Sequence, residues 1–376
     1  MLDQLLPAAV PGYGGTLSAI AARRQFAPGA TGFTFGTTLV APSLTEGVGY
    51  DSAPNGAQGS MVSASKASLL LADPVAGFGM YGDVNMRVYP QARAQNLFST
   101  TLAGGERIVL PRQIFTLSGG YLRDAVTGFA INTVPQAKPL TFNLLNARMS
   151  DAISAGMFTL TPDLSTSYYS FPTLSTLNRR DDRENLTLAF TPGGPLSLVL
   201  RLHGAQAVYG ESRLNTDTTA VLAGVRARED GLWALSLLAG MAWQTSRGGA
   251  GLSAPMVQAG LAWSPSPLDQ VNLTLTHEVD DPDEISTSPY MLTRARLTLA
   301  RAELAGISLK SMAEISRADY LHTSLRETLF TGTLQMQWHL SPNIALDGTY
   351  DFNDRQANYL NAANEHVLTL GVTWTP

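Results

Sequence analysis

The side chains best placed to do chemistry in this chain are charged ones set two residues apart. Arg201 and His203, Arg226 and Arg228, and Arg294 and Arg296 form such pairs, with Lys310 nearby in sequence. Glu278, Glu314, Asp347, Asp351 and Asp83 carry the opposite sign. In an extended strand, residues i and i+2 point to the same side, so each pair presents its charges together. Opposed charges facing one another across water create a transverse field that sorts polar and charged solutes. The same side chains also suit cross-strand salt-bridge and hydrogen-bond ladders that stiffen a wall. Both readings stand at this stage.

Catalytic chemistry has little support. A hydrolase triad needs a serine activated by a histidine that an Asn or Asp orients. The five histidines, His203, His277, His322, His339 and His366, have no serine-bearing motif of that kind nearby. With no Cys among 376 residues, thiolate metal sites and cysteine nucleophiles are excluded, as fits an oxidising envelope compartment. The run Asp280-Asp281-Pro282-Asp283-Glu284 offers carboxylates to a divalent cation but lacks the spacing and Gly of a calcium loop. It reads as a solvated acidic loop. Arg179-Arg180-Asp181-Asp182-Arg183 reads as a self-paired loop, with contact to anionic lipopolysaccharide as the alternative. No enzyme activity, cofactor or metal is implied.

The elements that must position these charges follow from a two-residue alternation. In His366–Trp374 the even positions Leu368, Leu370, Val372 and Trp374 are apolar, whereas Thr369, Gly371 and Thr373 are small or polar; Val367 is the exception. Ile344, Leu346, Tyr350 and Phe352 alternate with polar neighbours in the same way, as do Phe330, Leu334, Met336 and Trp338. From residue 32 onward this pattern marks about 18 strands, with 16 as the alternative. Short Pro- and Gly-bearing turns at 72–74, 111–112, 192–195, 229–231, 264–267 and 341–343 alternate with long polar loops at 51–59, 127–138, 170–183, 246–254, 280–289 and 353–365.

Composition decides which solvent the greasy face meets. Only 15% of residues are charged, against about 25% in ordinary soluble domains, and 34 are Gly. No apolar run approaches the roughly 18–20 residues of a membrane-spanning helix. The reading is all-β: a single transmembrane antiparallel β-barrel over 32–376, apolar towards lipid and polar towards a lumen, in the bacterial outer membrane. Short turns then lie on the periplasmic rim and long loops outside. Trp233, Trp263, Trp338 and Trp374 fall at the periplasmic rim and Trp243 at the other, as membrane girdles do. Residues 1–31 are a periplasmic N-terminal tail with a short helix at Thr16–Phe26. The net charge of −5 argues against a nucleic-acid partner.

Pro42-Ser-Leu-Thr-Glu-Gly-Val-Gly-Tyr-Asp51 resembles the first strand of a family of outer-membrane β-barrel porins, whose strands end in an aromatic followed by Asp. Leu117–Asp124 and Ile344–Asn353 match it in character. Members of that family are often associated with exopolysaccharide synthesis and export. The resemblance therefore implies a channel or accessory pore serving envelope polysaccharide secretion, in contact with export components. A general or selective diffusion porin and a structural or adhesive surface barrel with a closed lumen are the alternatives. The last strand also resembles the signal read by the barrel assembly machinery, through Thr369, Gly371 and Trp374, although Pro376 departs from it. Outer-membrane lipid and lipopolysaccharide complete the expected partners.

Overall fold

The computed structural model describes residues 32–73, 75–131, 133, 138–229, 232–247, 251–281, 289–304, 306–321 and 323–376. The tail and helix expected within 1–31 lie outside the described residues, as do His322 and Pro282–Glu284. A short β1 (Phe33–Phe35) leads into β2 (Thr38–Asp51), β3 (Ser60–Asp73), β4 (Phe78–Val88), β5 (Leu97–Leu110), β6 (Gln113–Val126), β7 (Leu140–Ala155), β8 (Phe158–Ser170) and β9 (Arg179–Phe190). There follow β10 (Leu196–Tyr209), β11 (Thr216–Glu229), β12 (Trp233–Ser246), β13 (Leu252–Trp263), β14 (Asp269–Asp280) and β15 (Tyr290–Leu304). The last are β16 (Ile307–Tyr320), β17 (Arg326–Ser341), β18 (Ile344–Ala357) and β19 (Leu360–Trp374).

Each strand pairs antiparallel with its sequence neighbours, and β19 closes on β2 from Trp374↔Leu44 to Val367↔Asp51. β1 pairs only with the lower part of β2, so the other eighteen of the nineteen strands form the ring. Closure leaves no sheet edge open, which is what a lipid-embedded sheet requires.

The alternation sets the two faces. On β19 Leu368, Leu370, Val372 and Trp374 are 47–61% exposed on the outside, while Val367 and Thr373 point inward and are buried. The five tryptophans all sit on outward positions. Trp233 pairs directly with Trp263, Trp374 stands opposite Ile344, and Trp243 lies near the opposite end of β12. Glu46 is one outward residue that breaks the pattern: it stands in the apolar belt opposite Val372, with Ser65 Oγ donating to its carboxylate at 2.6 Å.

The turns on one rim are short, and in several of them a glycine supplies the left-handed backbone that other residues avoid, as at Gly156 (φ 62°) and Gly306 (φ 81°). Two loop expectations are corrected. The loop expected at 353–365 is mostly strand: β18 and β19 continue as a hairpin to a turn at 358–359, because Arg355↔Ala363 and Ala357↔Leu360 extend the ladder. The stretch Arg179–Arg183 is the start of β9 rather than a loop. Its charges do pair with one another, Arg179 with Asp181 at 3.1 Å and Arg180 with Asp182 at 2.8 Å. The i, i+2 spacing puts the first pair inside and the second outside.

Candidate functional site: the charged lumen and its mouth

The register places Arg201, His203, Arg226, Arg228, Arg294, Arg296, Lys310, Glu278, Glu314, Asp347 and Asp351 all on inward positions. They differ in what neutralises them. Arg296 Nε donates to Glu314 Oε2 at 2.5 Å, and Arg294 Nε lies 3.3 Å from Glu314 Oε1. One carboxylate thus serves two guanidiniums, and these two arginines do not contribute two free positive charges, as the sequence spacing had suggested. Arg148 and Asp163 form a further wall pair at 2.8 Å.

Arg201 and Arg226 are different. Arg201 Nη1 donates to the neutral Gln258 Oε1 at 2.7 Å and its Nε to Thr187 Oγ1 at 3.3 Å. Arg226 Nε is buried with no hydrogen-bond partner. His203 meets Asn185 Oδ1 at 2.9 Å. The Arg201–Gln258 bridge joins β10 to β13, so it passes over the inward apolar cluster of Val199, Ala220, Leu222, Leu238, Ala242 and Met256 on the intervening wall. In an eighteen-strand ring β10 and β11 face β19 and β2 across the barrel. Near that facing wall lie Asp347, held by Gln337 Nε2 at 3.0 Å, and Asp351, held by Thr333 Oγ1 at 2.9 Å with Arg87 at 3.9 Å. Asp83 takes a hydrogen bond from Tyr81 and lies 3.8 Å from Lys66. Positive charge with neutral partners on one wall and carboxylates on the other is the arrangement for a transverse field.

The mouth holds what the sequence reading missed. Instead of lying on the cell surface, the described part of the 127–138 loop turns inward. Ile131 packs on Tyr290, Leu292, Ala318 and Tyr320 of β15 and β16, nine strands round the ring from β6 and therefore on the opposite wall. Arg355 of β18 fastens it: Nη1 donates to Gly128 O and Nη2 to Thr133 O, both at 2.5 Å. Its Nε pairs with Glu327 at 2.6 Å, the two side chains being 2% and 0% exposed. Glu327 in turn accepts from the hydroxyls of Tyr320 and Tyr359. On the other side, Gly128 N–H donates to Asn55 Oδ1, and Asn55 holds a left-handed φ of 51°, a region Asn tolerates better than most residues. Asn55 N–H donates to Glu365, and its Nδ2 to Gln95.

Beside the mouth, Asp281 just beyond β14 folds inside. It accepts from Thr216 Oγ1 at 2.5 Å and Gln244 Nε2 at 3.0 Å. Burial, and next the charge of Asp280, raises its carboxyl to about 6. The inward aromatics Phe142, Tyr169, Tyr209, Tyr290 and Tyr320 are 3–5% exposed and pack in clusters near this end. His277 and His366 point outward, bonded to Thr293 and Tyr350. Among the described residues no three His, Asp or Glu side chains converge as a metal site.

A closed ring with an apolar exterior between tryptophan girdles and a charged interior settles the setting. It is an outer-membrane β-barrel. Residues 203–375, from within β10 to the end of β19, match the model of the family described as "Putative beta-barrel porin 2". No curated protein matches the chain. Among solved structures the barrel is similar to OccK1 (OpdK) of Pseudomonas aeruginosa, with a TM-score of 0.47 and 8% identity over 92% of this chain and 100% of that chain. It is also similar to OccK2 (OpdF) of the same organism, at 0.46 and 12% over 89% and 98%.

Proposed function

We propose that the barrel is a passive diffusion channel for small hydrophilic solutes that favours anions. The observation that carries this reading is the β10–β11 wall, where Arg201 bonds the neutral side chains of Gln258 and Thr187 and Arg226 Nε is buried without a partner. A fixed cation with no carboxylate in hydrogen-bond or ion-pair contact attracts anions into a low-dielectric lumen and lowers their barrier. Polysaccharide secretion has less support. Sugar rings stack on exposed aromatic faces, whereas Phe142, Tyr169, Tyr290 and Tyr320 are buried in apolar clusters.

In planar bilayers the purified barrel is expected to give conductance steps with an anion-selective reversal potential in a salt gradient. Arg201→Ala/Arg226→Ala should move that potential towards cations. Steps without anion preference, or with a preference the double variant leaves unchanged, overturn the selectivity. The fastened loop at the mouth favours a second reading, a surface barrel whose lumen is closed. A wild-type barrel silent in bilayers that stays silent after Arg355→Ala decides for that one.

A further inference from the structure

The ring bends sharply at two places. On β11 and β12 the neighbouring backbone stands where a side chain would be: a Cβ added at Gly224 would collide with Leu237 O, and one at Gly240 with Val221 O. On β2 and β19 a Cβ at Gly49 would collide with Leu368 O, and one at Gly371 would fall 2.8 Å from Glu46 O. The pairings Gly224↔Leu238, Leu222↔Gly240, Gly49↔Thr369 and Gly47↔Gly371 put these glycines on inward positions. Strand glycines that admit a second backbone in place of a side chain mark tight barrel corners.

Side chains span both corners. Arg87 of β4 reaches Asp351 of β18 at 3.9 Å across β3, β2 and β19, and Arg201 of β10 reaches Gln258 of β13 at 2.7 Å across β11 and β12. Four strand spacings of about 4.8 Å put β4 and β18 roughly 19 Å apart along the sheet. An Arg and an Asp meet over that span only where the sheet folds towards itself.

The corners lie eight strand-to-strand steps apart by way of β12–β19 and ten by way of β2–β11. A closed sheet folded at two nearly opposite places is oblong, and its shorter width is less than the diameter of a round ring of the same strand count. The long walls carry neutralised pairs, Arg148 with Asp163 on β7 and β8, and Arg294 and Arg296 with Glu314 on β15 and β16. Arg201 and Arg226, on β10 and β11, stand at one corner instead.

We propose that the lumen is a slot that selects flat anions over globular ones of equal charge. The plane of the solute lies along the long walls, with its anionic edge turned to the Arg201–Arg226 corner. Passage of a globular solute is set by the shorter width, that of a flat one by its thickness. The charge of the solute rests on the anion-channel reading; its flatness follows from the corners.

Spin labels on outward mid-strand positions measure the shape whether or not the barrel conducts. By double electron–electron resonance the Glu46→Cys/Ala223→Cys pair, corner to corner, should give a longer distance than Ala147→Cys/Ala313→Cys, wall to wall. Each pair is nine strand-to-strand steps apart in either direction, so a round ring makes the two equal. In bi-ionic planar bilayers naphthalenesulfonate should be at least about tenfold more permeant than adamantanesulfonate, which has the same charge and carbon count. In folded Gly224→Ala/Gly240→Ala, where the added methyls force β11 and β12 apart, the two distances should converge and the permeability ratio fall. Equal distances in the wild type overturn the slot. An anion-selective wild type that passes both sulfonates alike overturns selection by shape and leaves the channel reading standing, whereas a wild type without conductance steps overturns both. Distances and ratio unchanged in the folded glycine variant overturn the role of the corners.

Discussion

Replacing Arg355 by Ala tests how the mouth is held. The substitution deletes the donors to Gly128 O and Thr133 O together with the partner of Glu327, all within a region almost closed to solvent. Removing one member of a buried ion pair costs about 3–5 kcal/mol, largely because the other charge stays behind unpaired. Here the two tyrosine hydroxyls on Glu327 soften that cost, which points to the lower end. Each 1.4 kcal/mol is about tenfold in an equilibrium, so about 3 kcal/mol weakens the fastened loop relative to the free one by roughly a hundredfold. The β-ladder carries the barrel itself, and the heat-sensitive gel mobility of the folded protein should persist. Single-channel conductance should rise and become noisier, and amide exchange at Gly128–Ile131 should accelerate. Glu327→Gln should have a smaller effect in the same direction, since it keeps the guanidinium contacts to the loop. Unchanged conductance together with unchanged exchange in the folded Arg355→Ala barrel would refute the view that this residue fastens the loop.

Other outcomes follow from the wall. Leu346 points to lipid and Asp347 to the lumen, so Leu346→Arg should lose about 2–4 kcal/mol and most of the folded yield, while Asp347→Arg folds; equal yields would invert the facing. Glu314→Gln should shift the reversal potential towards anions, because it uncovers the charges of both Arg294 and Arg296. Glu46→Leu should raise resistance to urea unfolding in lipid vesicles, since it replaces a carboxylate in the apolar belt. The Asp281 carboxyl titrates near 6 when folded and 3.8 when unfolded, so the folded state binds more protons between those values and its stability falls as pH rises from about 4 to 6. Melting temperatures of wild type and Asp281→Asn, compared across that range, should differ in slope with this sign.

The barrel could be read from the chain because strands buried between lipid and water alternate with period two, and nothing about Leu368, Leu370 and Val372 needs a distant partner to be interpreted. The outward placement of the tryptophans near strand ends followed from the same alternation. What stayed hidden depends on side-chain partners from elsewhere. That Arg294 and Arg296 share Glu314 is a matter of register between β15 and β16. The infolding of Gly128–Ile131 depends on Arg355, far along the chain, and an irregular loop carries no period that reveals its direction.

The seam has a consequence for how the ring comes into being. Every other barrel pairing is a hairpin between consecutive strands, so those contacts are short in sequence and can add one after another with little loss of chain entropy. The meeting of Leu44 with Trp374 is of another order, joining residues separated by nearly the whole barrel sequence. Until it forms, β2 and β19 each present a row of free backbone groups that any strand can capture. The rate at which these two edges find one another should therefore set the competition between a finished barrel and aggregation, and destabilising Val48, Leu370 or Gly371 should slow that last step while leaving the earlier hairpins intact.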